Sequence, residues 1–240
     1  MSEGIVRDSL RTEGTLCRIW RRGEPACLLI QPVDARGGEE TDREVERIAA
    51  GTDIPFLLAA FETEDWNRDL SPWPAAPVFG KEAFGGQAER TLSFVRGTLL
   101  PELRGRFGLT EDLPVILGGY SLAGLFALWS AWKTEDFSAV AAASPSVWFP
   151  GWIDLAEQTE PFARVVYLSL GDREERTKNH VMATVGDRIR ALEKRVKSCP
   201  GTECVLEWNE GNHFKDPDRR CARAFCWCMQ RLAEREEREE

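Results

Sequence analysis

Histidine is nearly absent from this chain: its 240 residues hold two, His180 and His213. Any chemistry that needs an imidazole therefore has two candidates. An excess of positive charge is also missing. Thirty-one Lys and Arg against forty Asp and Glu give a formal net charge of -9 and a pI near 5, which argues against a nucleic-acid partner or an anionic membrane surface. No apolar run approaches the roughly 20 residues that span a bilayer. The start, Met1 to Arg11, is polar and lacks the apolar core of a signal peptide, so a cytoplasmic location is expected. The seven cysteines (Cys17, Cys27, Cys199, Cys204, Cys221, Cys226 and Cys228) are odd in number and lack metal-ligand spacing. Reduced core thiols are expected, and no metal. A Gly-rich phosphate loop is lacking too, so no cofactor is expected. No Gly-, Ser- or Pro-rich linker divides the chain, and a single domain over residues 1–240 follows. Nothing in the sequence signals an oligomeric state.

What is present centres on Val115-Ile116-Leu117-Gly118-Gly119-Tyr120-Ser121-Leu122-Ala123-Gly124-Leu125. A short apolar run enters this stretch and an apolar segment, Leu122 to Trp132, leaves it. That is the pattern of a buried strand turning sharply into a helix. At such a turn a serine is held in a strained conformation with its hydroxyl exposed. Gly119 and Ala123 leave room for the bend, and Gly124 lets the helix lie close to the sheet. The usual G-x-S-x-G reads G-Y-S-L-A here, a mild departure because alanine is small.

Strands and helices alternate around it. Leu16 to Trp20 and Ala26 to Gln31 read as an antiparallel entry hairpin. Thr41-Asp42-Arg43-Glu44 has the form of a capping box, ahead of a helix with Val45, Ile48 and Ala49 on one face. Pro55 to Phe61 reads as a buried parallel strand. Residues 62–86, rich in Trp, Phe and Pro, show no period and read as a pocket-lining loop. Gln87 to Phe107 reads as a helix that Pro101 kinks or divides. Further strands are expected at Leu113 to Leu117, Ala139 to Ala143, Arg164 to Leu170 and Glu203 to Trp208. Helices are expected along Val181, Val185, Ile189, Leu192 and Val196, and along Ala222, Phe225, Cys226, Met229 and Leu232. Residues 234–240 read as a fraying acidic tail. The fold class is α/β, with a mostly parallel central sheet and helices on both faces.

In such sheets ligands bind beyond the carboxyl ends of the strands. Three of those ends carry reactive groups, in the order serine, carboxylate, histidine, which is the order in α/β-hydrolases. Ser121 would be the nucleophile and His213, in a Gly-Asn-His turn after the last strand, its base. His180 falls in the first turn of a helix and suits a capping or packing place better. The acid lies among Asp172, Glu174 and Glu175, any of which also suits a helix N-terminus for dipole reasons. An oxyanion would meet the Leu122 amide and a second amide near Phe61 or Glu62, after the third expected strand. Trp66, Trp73, Tyr120, Trp148 and Trp152 are candidate pocket walls. Arg68 is placed either to meet an anionic substrate or to pair with Asp69.

Five segments together resemble the esterase D branch of the α/β-hydrolases, which includes enterochelin esterase-like proteins, S-formylglutathione hydrolases and feruloyl or acetyl esterases. They are Asn67-Arg68-Asp69-Leu70-Ser71-Pro72, Gly119 to Gly124, Ser144-Pro145-Ser146-Val147-Trp148, Gly171-Asp172-Arg173-Glu174 and Gly211-Asn212-His213-Phe214. The likeness covers nearly the whole chain from the entry hairpin onward. It implies an α/β-hydrolase fold and hydrolysis of a small-molecule ester through an acyl-enzyme on Ser121. It also favours Glu174 over Asp172, since in that branch the acid commonly falls three residues after the glycine of its loop. A non-catalytic binding protein on the same fold, and a thioesterase or peptidase using the same three groups, are the competing expectations.

Overall fold

The computed structural model describes residues 4–35 and 37–239. The first three residues of the polar start and the last residue of the acidic run lie outside the described residues. One eight-stranded sheet organises the chain. Its strands are β1 (Val6–Thr12), β2 (Thr15–Arg22), β3 (Cys27–Val33), β4 (Phe56–Glu62), β5 (Val115–Tyr120), β6 (Ala139–Ala143), β7 (Val165–Gly171) and β8 (Glu203–Asn209). They lie in the order β1-β2-β4-β3-β5-β6-β7-β8. All pairs from β4 to β8 are parallel, while β1–β2 and β2–β4 are antiparallel.

The entry hairpin is real but its strands differ from those expected. β1 pairs with β2 through the Glu13-Gly14 turn, and β2 and β3 do not pair because β4 lies between them. β1 escapes sequence reading because it is an edge strand whose one buried side chain is Leu10. Its existence shifts the strand count by one, with a consequence at the active site.

Helix α1 (Gly38–Gly51) starts before the expected capping box. Thr41 sits inside the helix and donates its hydroxyl back to the Gly37 carbonyl at 2.8 Å, and Glu44 is buried instead of reaching back. The 62–86 segment is less irregular than expected. It holds a one-turn helix, Trp66–Asp69, capped by Asp65, and a ribbon of Pro74–Ala75 against Phe84–Gly85. The 87–107 helix comprises α2 (Ala88–Phe94), a π-helical turn (Val95–Leu99) and α3 (Leu100–Phe107). Pro101 falls in the first turn of α3, where its missing N–H costs least, and the wider turn before it absorbs the misfit.

Helix α4 (Leu122–Ala131) is buried at every residue, which explains its apolar character all round. Helices α5 (Trp152–Gln158) and α6 (Val185–Lys197) share its side of the sheet, and their core includes Leu28, Ile30, Leu117 and Phe126. α1 and α7 (Pro217–Glu239) cover the other face, over Leu29, Leu58, Ile116 and Phe225. The acidic run at the end of α7 stays helical through Glu239, where Glu234 pairs with Arg231 and Arg238. All seven cysteines are free. Among the described residues no helix is long and apolar enough to cross a membrane, and no cluster suited to a metal ion occurs.

Candidate active site

Ser121 stands between the end of β5 and the start of α4, at φ 58° and ψ -119°. A positive φ is costly for a residue with a Cβ, and such strain persists only where the surroundings enforce it. Here both flanks do. The Ser121 N–H donates to the Ala143 carbonyl at 3.1 Å, and its carbonyl accepts from Leu125 and Ser146 at 3.1 and 3.0 Å. The bend needs Gly119, whose φ is 151° and where a Cβ would meet the Ala123 Cβ at 2.6 Å. Gly124 is less tightly confined, its Cβ position lying 3.0 Å from the Gly119 carbonyl and 3.2 Å from Pro145. Gly119→Ala is expected to lower stability by about 1–3 kcal/mol and to cut any reaction that depends on the Ser121 hydroxyl at least tenfold. Thermal unfolding and a chromogenic ester assay check this; unchanged values would show that the bend tolerates a methyl group.

The structure brings Ser121, His213 and Glu174 together. His213 Nε2 lies 3.0 Å from Ser121 Oγ, and its Nδ1 lies 2.7 Å from Glu174 Oε2. With a proton on Nδ1, the imidazole presents a lone pair to the serine hydroxyl. Ser146 Oγ is a second neighbour of Ser121 Oγ, at 3.3 Å. The other two acids of the loop are engaged elsewhere. Asp172 accepts the Gly211 N–H at 2.8 Å, tying the acid loop to the histidine loop, and Glu175 pairs with Arg190 at 3.1 Å. His180 is exposed in a turn and takes no part.

One residue was not anticipated. Arg220, on α7, is 2% exposed and reaches across the base of the site. Its Nη1 lies 2.8 Å from Glu174 Oε1, 2.9 Å from Ser144 Oγ and 3.0 Å from the Tyr120 hydroxyl. Its Nη2 donates to the carbonyls of Asn212 and Glu210 at 3.0 and 3.4 Å. The Tyr120 hydroxyl in turn donates to the His213 carbonyl at 2.7 Å. Glu174 Oε1 also accepts the Gly171 N–H and the Ser144 hydroxyl, at 2.7 and 2.8 Å. Burial pushes the Glu174 carboxyl up, but its bonds to His213, Gly171 and Ser144 outweigh this and hold it below its ordinary value. The group is a carboxylate, held in place from four directions.

Beside Ser121 and His213 lies a cavity of about 270 Å³, with Trp66, Tyr120 and Phe214 among its walls. A second hollow of about 410 Å³ also borders His213 and is lined in part by Trp148, Arg173 and Met182. Trp66 and Tyr120 line the first hollow and Trp148 the second. Trp73 and Trp152 line neither: Trp73 packs on Phe149 and donates to the Pro150 carbonyl at 2.9 Å, and Trp152 is fully buried in the core. Arg68 does not face the site either. It pairs with Asp69 at 2.7 Å and Glu64 at 3.3 Å and borders a separate hollow.

Leu122 is the first residue of α4, where helix amides lack intrahelical acceptors. Phe61 and Glu62 are a correction. They end β4, and β3 lies between β4 and β5, so neither amide is beside Ser121. The two line the separate hollow near Arg68, and Glu62 pairs with Arg18 at 2.7 Å. The segment bordering the serine cavity is the end of β3, at Pro32 and Val33. β1 precedes the expected strands, so the strand at Phe56–Glu62 is the fourth and Cys27–Val33 the third.

A family model described as "Putative esterase" matches residues 47–209. No curated protein matches at the level of sequence. Among solved structures, an IroE-like serine hydrolase from Shewanella oneidensis superposes with a TM-score of 0.72 at 16% identity, covering 92% of this chain and 78% of that one. The siderophore hydrolase EstB from Aspergillus nidulans gives 0.69 at 17% identity, covering 92% and 93%. The enterobactin esterase FES from Shigella flexneri gives 0.66 at 15% identity, covering 96% of this chain and 62% of that one. At these identities the structural likeness speaks for the fold, and the family match for the chemistry.

Proposed function

The chain belongs to the putative esterase family and is a carboxylic ester hydrolase, and on that premise we propose that it works through an acyl-enzyme on Ser121. The observation that carries this is the continuous hydrogen-bonded row from Ser121 Oγ through His213 to Glu174. A serine hydroxyl is a weak nucleophile until a base takes its proton. In this reading Ser121 Oγ attacks the ester carbonyl carbon as its proton passes to His213 Nε2. Glu174 holds the imidazole in the required tautomer and stabilises the cation that forms. The carbonyl oxygen becomes an oxyanion facing the Leu122 amide, with the second donor in the segment that follows β3. Collapse of that intermediate breaks the bond to the alcohol oxygen, which leaves with the proton from His213. Water then repeats the sequence on the acyl-enzyme, freeing the carboxylic acid and returning the proton to Ser121. The substrate is a small-molecule ester, and no step asks for a cofactor.

A fluorophosphonate probe tests the nucleophile directly. Wild type is expected to gain one covalent label, mapped to Ser121 by peptide mass spectrometry, and heat-unfolded protein to gain none. Labelling on a different residue, or no labelling of a protein that hydrolyses esters, would refute the assignment.

A further inference from the structure

The serine cavity is lined in part by acidic side chains, and this bears on the ester it takes. Its lining includes Glu40, Glu44 and Asp218, and no Lys or Arg among the described residues. Glu44 is the informative member. It projects from α1, is 4% exposed, and its Oε2 accepts from Gln31 Nε2 at 3.0 Å. Its Oε1 is buried with no hydrogen-bond partner among the described residues. A buried carboxyl oxygen left unpaired is costly, and a donor brought alongside it would remove that cost.

The neighbouring cations do not satisfy it. Arg47 and Arg43 both turn to Asp218, at 2.9 and 3.6 Å, and stand about half exposed outside the cavity. Burial pushes the Glu44 carboxyl up to about 8, with smaller contributions from Glu40 and Asp218. A positive group brought alongside would reverse that shift. The remaining walls suit the same guest: Trp66, Tyr120 and Phe214 offer aromatic surface, which attracts quaternary and primary ammonium groups. Among the described residues the lining offers no Lys or Arg to an anionic substrate group.

We propose that the Glu44 end of the cavity is a specificity subsite for an ammonium group carried by the ester substrate. This rests on Ser121 being the nucleophile, and it names the substrate class: esters bearing a cationic amine a few bonds from the scissile carbonyl. Glu44 supplies the counter-charge, and the aromatic walls enclose the methylene or methyl groups around the nitrogen.

The test compares two series of esters, in which a trimethylammonium group ends either the acyl chain or the alcohol, at spacings of two to six methylenes. Each is paired with its neutral tert-butyl isostere. Wild type is expected to favour the cationic member at least tenfold in kcat/KM at one spacing, mainly through KM. In Glu44→Gln, which keeps the volume and a partner for Gln31, the cationic-to-neutral ratio should fall to about one. A ratio near one in wild type at every spacing, or a ratio unaltered in Glu44→Gln, overturns the inference while leaving the esterase reading intact. A second measurement needs no turnover. Calorimetric binding of butyltrimethylammonium to Ser121→Ala protein should exceed that of its neutral isostere and vanish when Glu44→Gln is added. Equal binding of both ligands rejects the subsite whatever the fate of the nucleophile assignment.

Discussion

Ser121→Ala is expected to lower kcat/KM for a short-chain p-nitrophenyl ester by about 10⁴- to 10⁶-fold. The loss is large because the hydroxyl is the only atom of that side chain that forms the new covalent bond. His213→Ala should cost a similar amount, and the double variant little more, since nucleophile and base act as one unit. The fold should not suffer. Alanine keeps the Cβ that the backbone at φ 58° already accommodates, and among the described residues the lost Oγ hydrogen-bonds to His213 and Ser146. Stability is therefore expected to change by less than about 1 kcal/mol. Ser121→Gly supplies an internal control. Glycine is free of the penalty for positive φ, so it should unfold at a higher temperature than Ser121→Ala while being equally inactive. Equal activity in wild type and Ser121→Ala would sink the nucleophile assignment. An inactive Ser121→Ala that also fails to fold would be read through the glycine variant.

The serine bend was legible because it is local: apolar strand, small residues, apolar helix, all within Val115 to Trp132. The histidine was legible by scarcity, and the acid loop by its place after a strand. What the sequence concealed depends on contacts between distant segments. β1 is a polar edge strand with Leu10 as its one buried residue, so its alternation is too weak to read. Missing it moved the expected oxyanion donor from β3 to β4. Arg220 was missed because an arginine in a charged amphipathic helix reads as solvent-facing. A signal did exist: Arg220, Ala224 and Cys228 recur at i, i+4 and i+8 on the buried face of α7. Glu44 carried the same kind of signal, lying between Thr41, Val45 and Ile48 on the inner face of α1. A charge at a core position of an amphipathic helix is either paired in the interior or aimed into a site. Here one case is of each kind.

Glu174→Gln is the second substitution with a large expected effect, and it separates the two things this carboxylate does. For the reaction, a glutamine turned with its amide N–H₂ toward His213 Nδ1 would favour the wrong imidazole tautomer, placing a proton on Nε2 where a lone pair is needed. A loss in kcat of about 10⁴-fold is expected with little change in KM. For the fold, the same change leaves the Arg220 guanidinium, 2% exposed, without its counter-charge. Breaking a buried pair from one side costs about 3–5 kcal/mol, so the melting temperature should fall clearly. Adding Arg220→Gln removes the stranded charge. The double variant is therefore expected to regain a measurable part of the lost stability and none of the lost activity. Recovery of both would mean that Glu174 acts only by pairing with Arg220. The pH profile carries an independent sign. Because the Glu174 carboxyl is held below its ordinary value in the folded protein, its stabilising contribution is complete above the unfolded carboxyl pKa of about 4.3. That contribution is lost as pH falls through the lower folded value. Chemical denaturation of wild type between pH 6 and 3 should accordingly steepen at the acid end, and Glu174→Gln should show a shallower acid limb. Parallel curves for the two proteins would show that the carboxylate is not held by the bonds from His213, Gly171 and Ser144.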